Sequence, residues 1–298
     1  MDFSAVGKKI RELRKNIGLS QEELSEGICT QAQISKIEKG DVYPYASTLY
    51  LISQKLGVDV NHFFDIGMTP RLDYVQEVKR QLIMSRRNLD YKEMKQVVET
   101  ELHNPLFTLN KKNLQLLLWH KGIYQYELEK DTDTALETLF SSIQLTHQSN
   151  KYWSEREIEI MLTIGAIHFE EDDLEEALKV YKNIKQYINT IPYLTDYTIK
   201  TRLYYNYART LTRCKEYKES NTYCAAGINW CIEKDNLYFL GELHYHMGYN
   251  FELLGDLETG LQFMKKALTV FELQQDEKYS NFIKEKIKSL EKKYNERP

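Results

Sequence analysis

The chain has few of the residues that interrupt regular structure: 13 glycines and 5 prolines in 298 residues. Sheets and long loops rely on both for their turns, so this scarcity points to a fold made mostly of helices. Cysteine is also sparse. Cys29, Cys214, Cys224 and Cys231 form no CxxC pair. Cys224 and Cys231 stand seven apart on one face of a predicted helix, too far apart to bridge easily, so buried thiols are expected rather than disulfides. No apolar run is long enough to span a bilayer, and the opening MDFSAVGKKIRELRK has no apolar signal core, so a cytoplasmic location without membrane contact is expected. A net charge of −4 rules out a global basic field; any DNA binding must come from a local arrangement of cations and helix ends. Catalytic signatures are missing as well: there is no HExxH, G-x-S-x-G or phosphate loop. The 7 histidines are scattered, and His244 and His246 point to different helix faces. His168 falls at a core-type position and is expected to be packed. The expectation is a non-enzymatic protein with no metal or cofactor.

What is plentiful is tyrosine, 22 in all, a ring that can fill a core or line a groove. The first segment carries a helical stripe of Val6, Ile10, Leu13 and Ile17, ended by Gly18. Ser20 and Glu23 form a capping box for a second helix that runs to about Gly27. Thr30 is a good N-cap for a third helix, which stops at Gly40. Its outward face bears Gln31, Gln33 and Lys36, polar but hardly charged. A Gln amide offers a donor and an acceptor together, which suits the edge of adenine. A fourth helix over Thr48–Leu56 and a short closing helix over Val58–Phe64 complete a five-helix unit with a tight turn between its second and third members.

The string IRELRKNIGLSQEELSEGICTQAQISKIEKGDVYP resembles the phage-repressor (Xre/Cro-type) helix-turn-helix family across about 60 positions. The resemblance implies that Gln21 meets a DNA phosphate and that Thr30, Gln31, Ala32, Gln33 and Lys36 occupy groove-reading positions. It also implies that Arg14 and Glu38 are an internal pair. Glu22, Glu23, Glu26, Glu38 and Asp41 nearly cancel the local cations, so one copy should bind DNA weakly. Double-stranded DNA with a palindromic operator, bound by a homodimer, is therefore expected, the two recognition helices lying about 34 Å apart.

After Pro70 a linker helix is predicted over Arg71–Arg87. Small residues then recur at 40–43-residue spacing: Gly122, Gly165, Ala208 and Gly248 in first helices, and Ala135, Ala177, Ser220 and Gly260 in second helices. This is the signature of stacked helical hairpins, and the units resemble tetratricopeptide repeats. A Lys- and Glu-rich amphipathic segment near Asp276–Tyr294 fits a capping helix. The predicted organisation is all-α: residues 1–66 as the DNA-binding domain, 67–88 as linker helix, and 89–298 as a repeat domain for effector binding and dimerisation.

First helices of such repeats face the concave side, which nominates Arg202, Tyr205, Asn206, Arg209, Tyr245, Tyr249 and Asn250 as peptide-binding residues. An Asn amide can satisfy both groups of an extended backbone, and an Arg can fork onto a carboxylate. Taken whole, the chain resembles the RNPP family of Gram-positive quorum-sensing receptors and has a PlcR-like character within it. EGICTQAQISKIEKGDVYP, KLGVDVNHFF and YYNYARTL carry the likeness. The resemblance implies a homodimer built through the repeats, a short signalling peptide as ligand, Asn206 on the peptide backbone, and gene activation on binding. A helical-repeat scaffold, or a repressor answering to a non-peptide effector, is the alternative.

Overall fold

A computed structural model describes residues 2–149, 152–191 and 193–295. Among the described residues the fold is all-helical, and the chain divides into two compact units, one up to His120 and one from Lys121 onward.

The first unit contains α1 (Phe3–Asn16), α2 (Gln21–Ser25), α3 (Gln31–Lys39), α4 (Ala46–Leu56), α5 (Val60–Met68), α6 (Leu72–Arg87), α7 (Tyr91–Glu101), α8 (Pro105–Thr108) and the start of α9 (Lys111–Glu127). Val6, Ile10, Leu24, Ile34, Ile37, Leu49, Ile52, Leu56 and Phe63 close one core beneath α1–α5. The Ser20–Glu23 capping box forms as expected, and Thr30 caps α3 by accepting from the Gln33 N–H. Gly40 ends α3 at φ 82°, a left-handed value that favours glycine. Two boundaries differ from the sequence reading. Helix α2 stops at Ser25, because Glu26 already leaves helical geometry, and α5 extends to Met68. Pro70 lies in the turn before α6, which begins after Arg71 at φ 50°.

The second unit holds the rest of α9, then α10 (Thr132–Gln144), α11 (Glu155–Glu170), α12 (Leu174–Ile188), α13 (Thr198–Arg213), α14 (Tyr217–Glu233), α15 (Leu240–Leu253), α16 (Leu257–Leu273) and α17 (Glu277–Asn295). The small residues do what their spacing predicts. A Cβ on Gly165 would come within 2.6 Å of the Tyr181 ring, and one on Gly248 within 3.0 Å of the Gly260 carbonyl. The Ala208 carbonyl accepts from the Ser220 hydroxyl at 2.8 Å. First helices α11, α13 and α15 also pack on one another in sequence, so they form a layer of their own. Helix α17 buries Ile283, Ile287 and Leu290 against the last hairpin and leaves its Lys and Glu outward, as a cap should.

The hairpin turns share one device. A left-handed residue (Lys130, Asp172, Lys215 or Gly255) precedes the start of the second helix. The next N–H then bonds back to a carbonyl in the closing turn of the first helix, as from Asp173 to His168 at 2.8 Å and from Asp256 to Phe251 at 2.9 Å. Asp131, Asp173 and Asp256 then cap the second helices, each accepting from the N–H three residues on. Burial fits the cysteine reading: Cys224 and Cys231 are buried, Cys29 and Cys214 half-buried, and all four are free thiols. His168, expected to be packed, has a side chain 17% exposed. It is half-buried and pairs with Asp173 at 3.1 Å, because it faces the hairpin turn rather than the core.

Candidate nucleic-acid and effector interfaces

Helix α3 presents Gln31, Ala32 and Lys36 to solvent, with Gln33 half-buried and Ile34 and Ile37 turned into the core. Behind that face lies a chain of polar contacts. Arg14 on α1 donates to both Glu38 oxygens, at 2.5 and 3.0 Å, and to the Leu19 carbonyl at 2.7 Å. The Gln21 amide donates to Glu38 at 2.8 Å and accepts from Gln31 at 2.7 Å. Burial would raise the Glu38 pKa, but hydrogen bonds from Arg14 and Gln21 and the Arg14 charge outweigh it and hold the carboxyl below its usual range. Arg14 is raised in turn, first by its hydrogen bond to Glu38. An ion pair this enclosed fixes α3 against α1, and Gln21 links it to Gln31 at the start of α3. Sequence reasoning placed Arg14 and Glu38 together; it did not foresee that Gln21 links them to Gln31. Thr30 is exposed, but its hydroxyl is used as the helix cap.

On the layer of first helices, charged pairs join neighbouring repeats. Arg202 on α13 meets Glu159 on α11 at 2.9 Å, Arg209 meets Glu170 at 3.2 Å, and Arg213 meets Asp172 at 2.5 Å. Each partner lies about one repeat earlier in the chain, a spacing that could have revealed these acids in the sequence. Arg209 also lies over the Phe169 ring at 4.3 Å and over Tyr205 at 5.5 Å. Tyr205 stacks near Phe239 at 4.7 Å and meets His246 edge-on at 6.1 Å. Between the arginines, Asn206 is half-buried. Its backbone carbonyl accepts from Thr210, while its amide forms no hydrogen bond among the described residues. Tyr245 and Tyr249 stack on each other at 6.3 Å on α15 and lean against the core that α16 and α17 share.

Asn250 does not join this face. It is fully buried, donating to Ser220 at 2.8 Å and Asn221 at 2.9 Å and accepting from Thr212 at 2.7 Å. The turn of α15 aims it at the α13–α14 hairpin, where its amide is spent on holding three helices together. The His246 Nε2 comes within 2.8 Å of the same Thr212 hydroxyl, and burial lowers this imidazole's pKa to about 4, so it is neutral there.

Residues 79–292 match the C-terminal domain model of the RNPP family, and residues 10–63 match a helix-turn-helix model. The chain belongs to the RNPP family. In this chain the family's C-terminal domain follows a helix-turn-helix segment. Over 61 residues, 20% of its length, the chain is 48% identical to an uncharacterised HTH-type transcriptional regulator of Sinorhizobium medicae (strain WSM419). The chain spans only 44% of the length of that relative. The whole chain is similar in fold to PlcR of Bacillus thuringiensis solved in complex with the peptide PapR7 and DNA (TM-score 0.83, 24% identity, covering 94% of this chain and 99% of that one). It is also similar to ComR of S. thermophilus solved with DNA and its signalling peptide ComS (TM-score 0.62, 17% identity, covering 96% and 99%). No helix among the described residues is long and apolar enough to cross a membrane.

Proposed function

We propose that this RNPP-family regulator is a cytoplasmic homodimer whose binding to a palindromic operator is controlled by a short signalling peptide, and that peptide binding activates its target genes. Residues 1–66 read DNA, 67–88 link, and 89–298 bind the peptide and hold the dimer. The observation that carries the reading is the first-helix layer, where Asn206, with an amide uncommitted among the described residues, lies between Arg202 and Arg209 on α13. An amide with free donor and acceptor is suited to an extended peptide backbone, and the rings and arginines around it to the peptide's side chains and carboxylate. Tyr245 and Tyr249 extend the surface; Asn250 serves the core instead. On the DNA side, Gln31, Ala32, Gln33 and Lys36 reach base edges, with Gln21 and the Thr30 cap near the backbone.

A ligand shifts DNA binding only through different affinities for two arrangements of the dimer. Here peptide occupancy changes how the first helices pack, and the linker helices convert that change into the separation of two recognition helices. The test is a selection of random duplex DNA by purified full-length protein, with and without cell-free culture supernatant. An enriched palindrome whose affinity rises with a supernatant peptide is the expected result. A palindrome indifferent to any supernatant would remove the peptide, and no enriched sequence would remove the DNA reading. Gln33→Ala should weaken specific binding by about 1–3 kcal/mol and relax the sequence preference at one position of each half-site.

A further inference from the structure

The acids on the first-helix layer are not all used alike. Glu159, Glu170 and Asp172 each hold an arginine. Glu242, in the first turn of α15, holds none. Its Oε2 is sealed from solvent, and no hydrogen-bonding group or cation partners it among the described residues. It stands three residues before Tyr245 and seven before Tyr249, so helical spacing sets it on the same stripe of α15 as those two rings. Its charge acts on the Tyr205 phenol, which burial pushes up to about 12. Burial raises Glu242's own pKa and outweighs a hydrogen bond from its own backbone N–H, with the Asp276 charge adding to the rise.

A second irregularity lies beside it. Phe239, the residue before α15, has φ 59°, a left-handed value rare for a bulky side chain, and its ring lies 4.7 Å from Tyr205 and 4.4 Å from Tyr238. A sealed carboxylate oxygen that accepts no hydrogen bond costs free energy in the empty protein, and backbone strain next to it is the kind of feature that collects at ligand sites.

We propose that Glu242 determines the specificity of the effector site by pairing with a cationic nitrogen of the ligand, either its α-amine or a lysine or arginine side chain. This rests on the reading of the first-helix layer as a peptide site. Arg202 and Arg209 each pair with an acid of the preceding repeat, whereas no cation among the described residues faces Glu242.

The test passes two synthetic random heptapeptide mixtures, one with free amino termini and one N-acetylated, over immobilised full-length protein, and retained peptides are sequenced by mass spectrometry. Wild type should favour, by about ten-fold or more, free-amine over acetylated peptides or lysine and arginine at one position. Loss in acetylated peptides identifies the α-amine; a positional preference that survives acetylation identifies a side chain. Glu242→Gln should lose that preference while keeping the apolar preferences at other positions, and Glu242→Lys should reverse it toward acidic residues. Without peptide, Glu242→Gln should melt higher than wild type, since it removes an unpaired buried charge; this also establishes that the variant folds. An unchanged cationic preference in Glu242→Gln overturns the assignment of Glu242 and leaves the peptide reading intact. Failure of wild type to enrich any peptide from either mixture overturns the peptide reading and this one with it.

Discussion

The two units treat buried polarity in opposite ways. Under α3 the enclosed polar group is an ion pair, Arg14 with Glu38, fastened to Gln21 and Gln31. Inside the repeats the polar cluster around Asn250 is made of amides, hydroxyls and a neutral imidazole, and Arg209 and Arg213 pair nearer the surface with acids about one repeat earlier. A buried ion pair is rigid and costly to break, because removing either partner strands a charge. A neutral network costs less, and a surface pair costs least. That order suits the tasks proposed for each unit: a helix that must hold its shape against DNA, and a surface that must give way to a ligand.

The comparison is broken most directly at Glu38. Glu38→Ala should cost about 3–5 kcal/mol, because the Arg14 guanidinium is left enclosed without its partner. The readout is hydrogen exchange of α1 and α3 in the full-length protein, together with urea unfolding. Loss of protection should be confined to the first unit, and a variant as protected as wild type would mean the pair is ornamental. The pH dependence has a definite sign. Glu38 has a folded pKa below its ordinary 4.5, so its contribution is complete above that value and is lost as pH falls through the folded pKa. Glu38→Gln should remove that acid sensitivity from the first unit.

A smaller effect is expected at Asn250. Asn250→Ala leaves Ser220, Asn221 and Thr212 short of partners in a dry junction and should cost about 1–3 kcal/mol. The loss should appear in the protein without peptide, as faster exchange in α13–α15. If instead Asn250→Ala kept its stability and lost only peptide binding, Asn250 would belong to the ligand surface and the account of the network would fall.

How much of this could be read in the sequence depended on how local the physical signal was. The Ser20–Glu23 box, the Thr30 cap and the Gly40 stop each lie within a few residues, and all three form as read. The small residues at Gly165 and Gly248 were legible because close approach of helices leaves no room for a Cβ at fixed intervals. The hairpin turns were harder to read, since their left-handed positions hold Lys130, Asp172 and Lys215 where glycine would have announced them. Asn250 misled because a buried amide and a ligand-binding amide look alike in one dimension; the phase of α15 separates them. Glu242 gave no signal at all, since lacking a partner is a property only the folded chain has.

The smallest effects should fall on the ladder of surface pairs, where they should also be graded. The arginine side chains are 14% exposed at Arg202, 32% at Arg209 and 53% at Arg213. Solvent screens a charge pair more as its members are more exposed, so alanine at Arg213 should cost almost nothing and at Arg209 less than about 1 kcal/mol. Arg202 should cost the most of the three, since its pair with Glu159 is the least exposed, although Arg156 stays 3.4 Å from the same carboxylate. Thermal melts at low and at physiological salt test the gradient: added salt should shrink the Arg209 effect and leave most of the Arg202 effect. The 2.5 Å contact of Arg213 with Asp172 makes this a sharp comparison, because distance alone would rank that pair first. If Arg213→Ala proves the most damaging, geometry outweighs screening on this surface, and the ladder is a structural brace. If the gradient follows exposure, the outer rungs are weak enough for a ligand carboxylate to take Arg209 from Glu170.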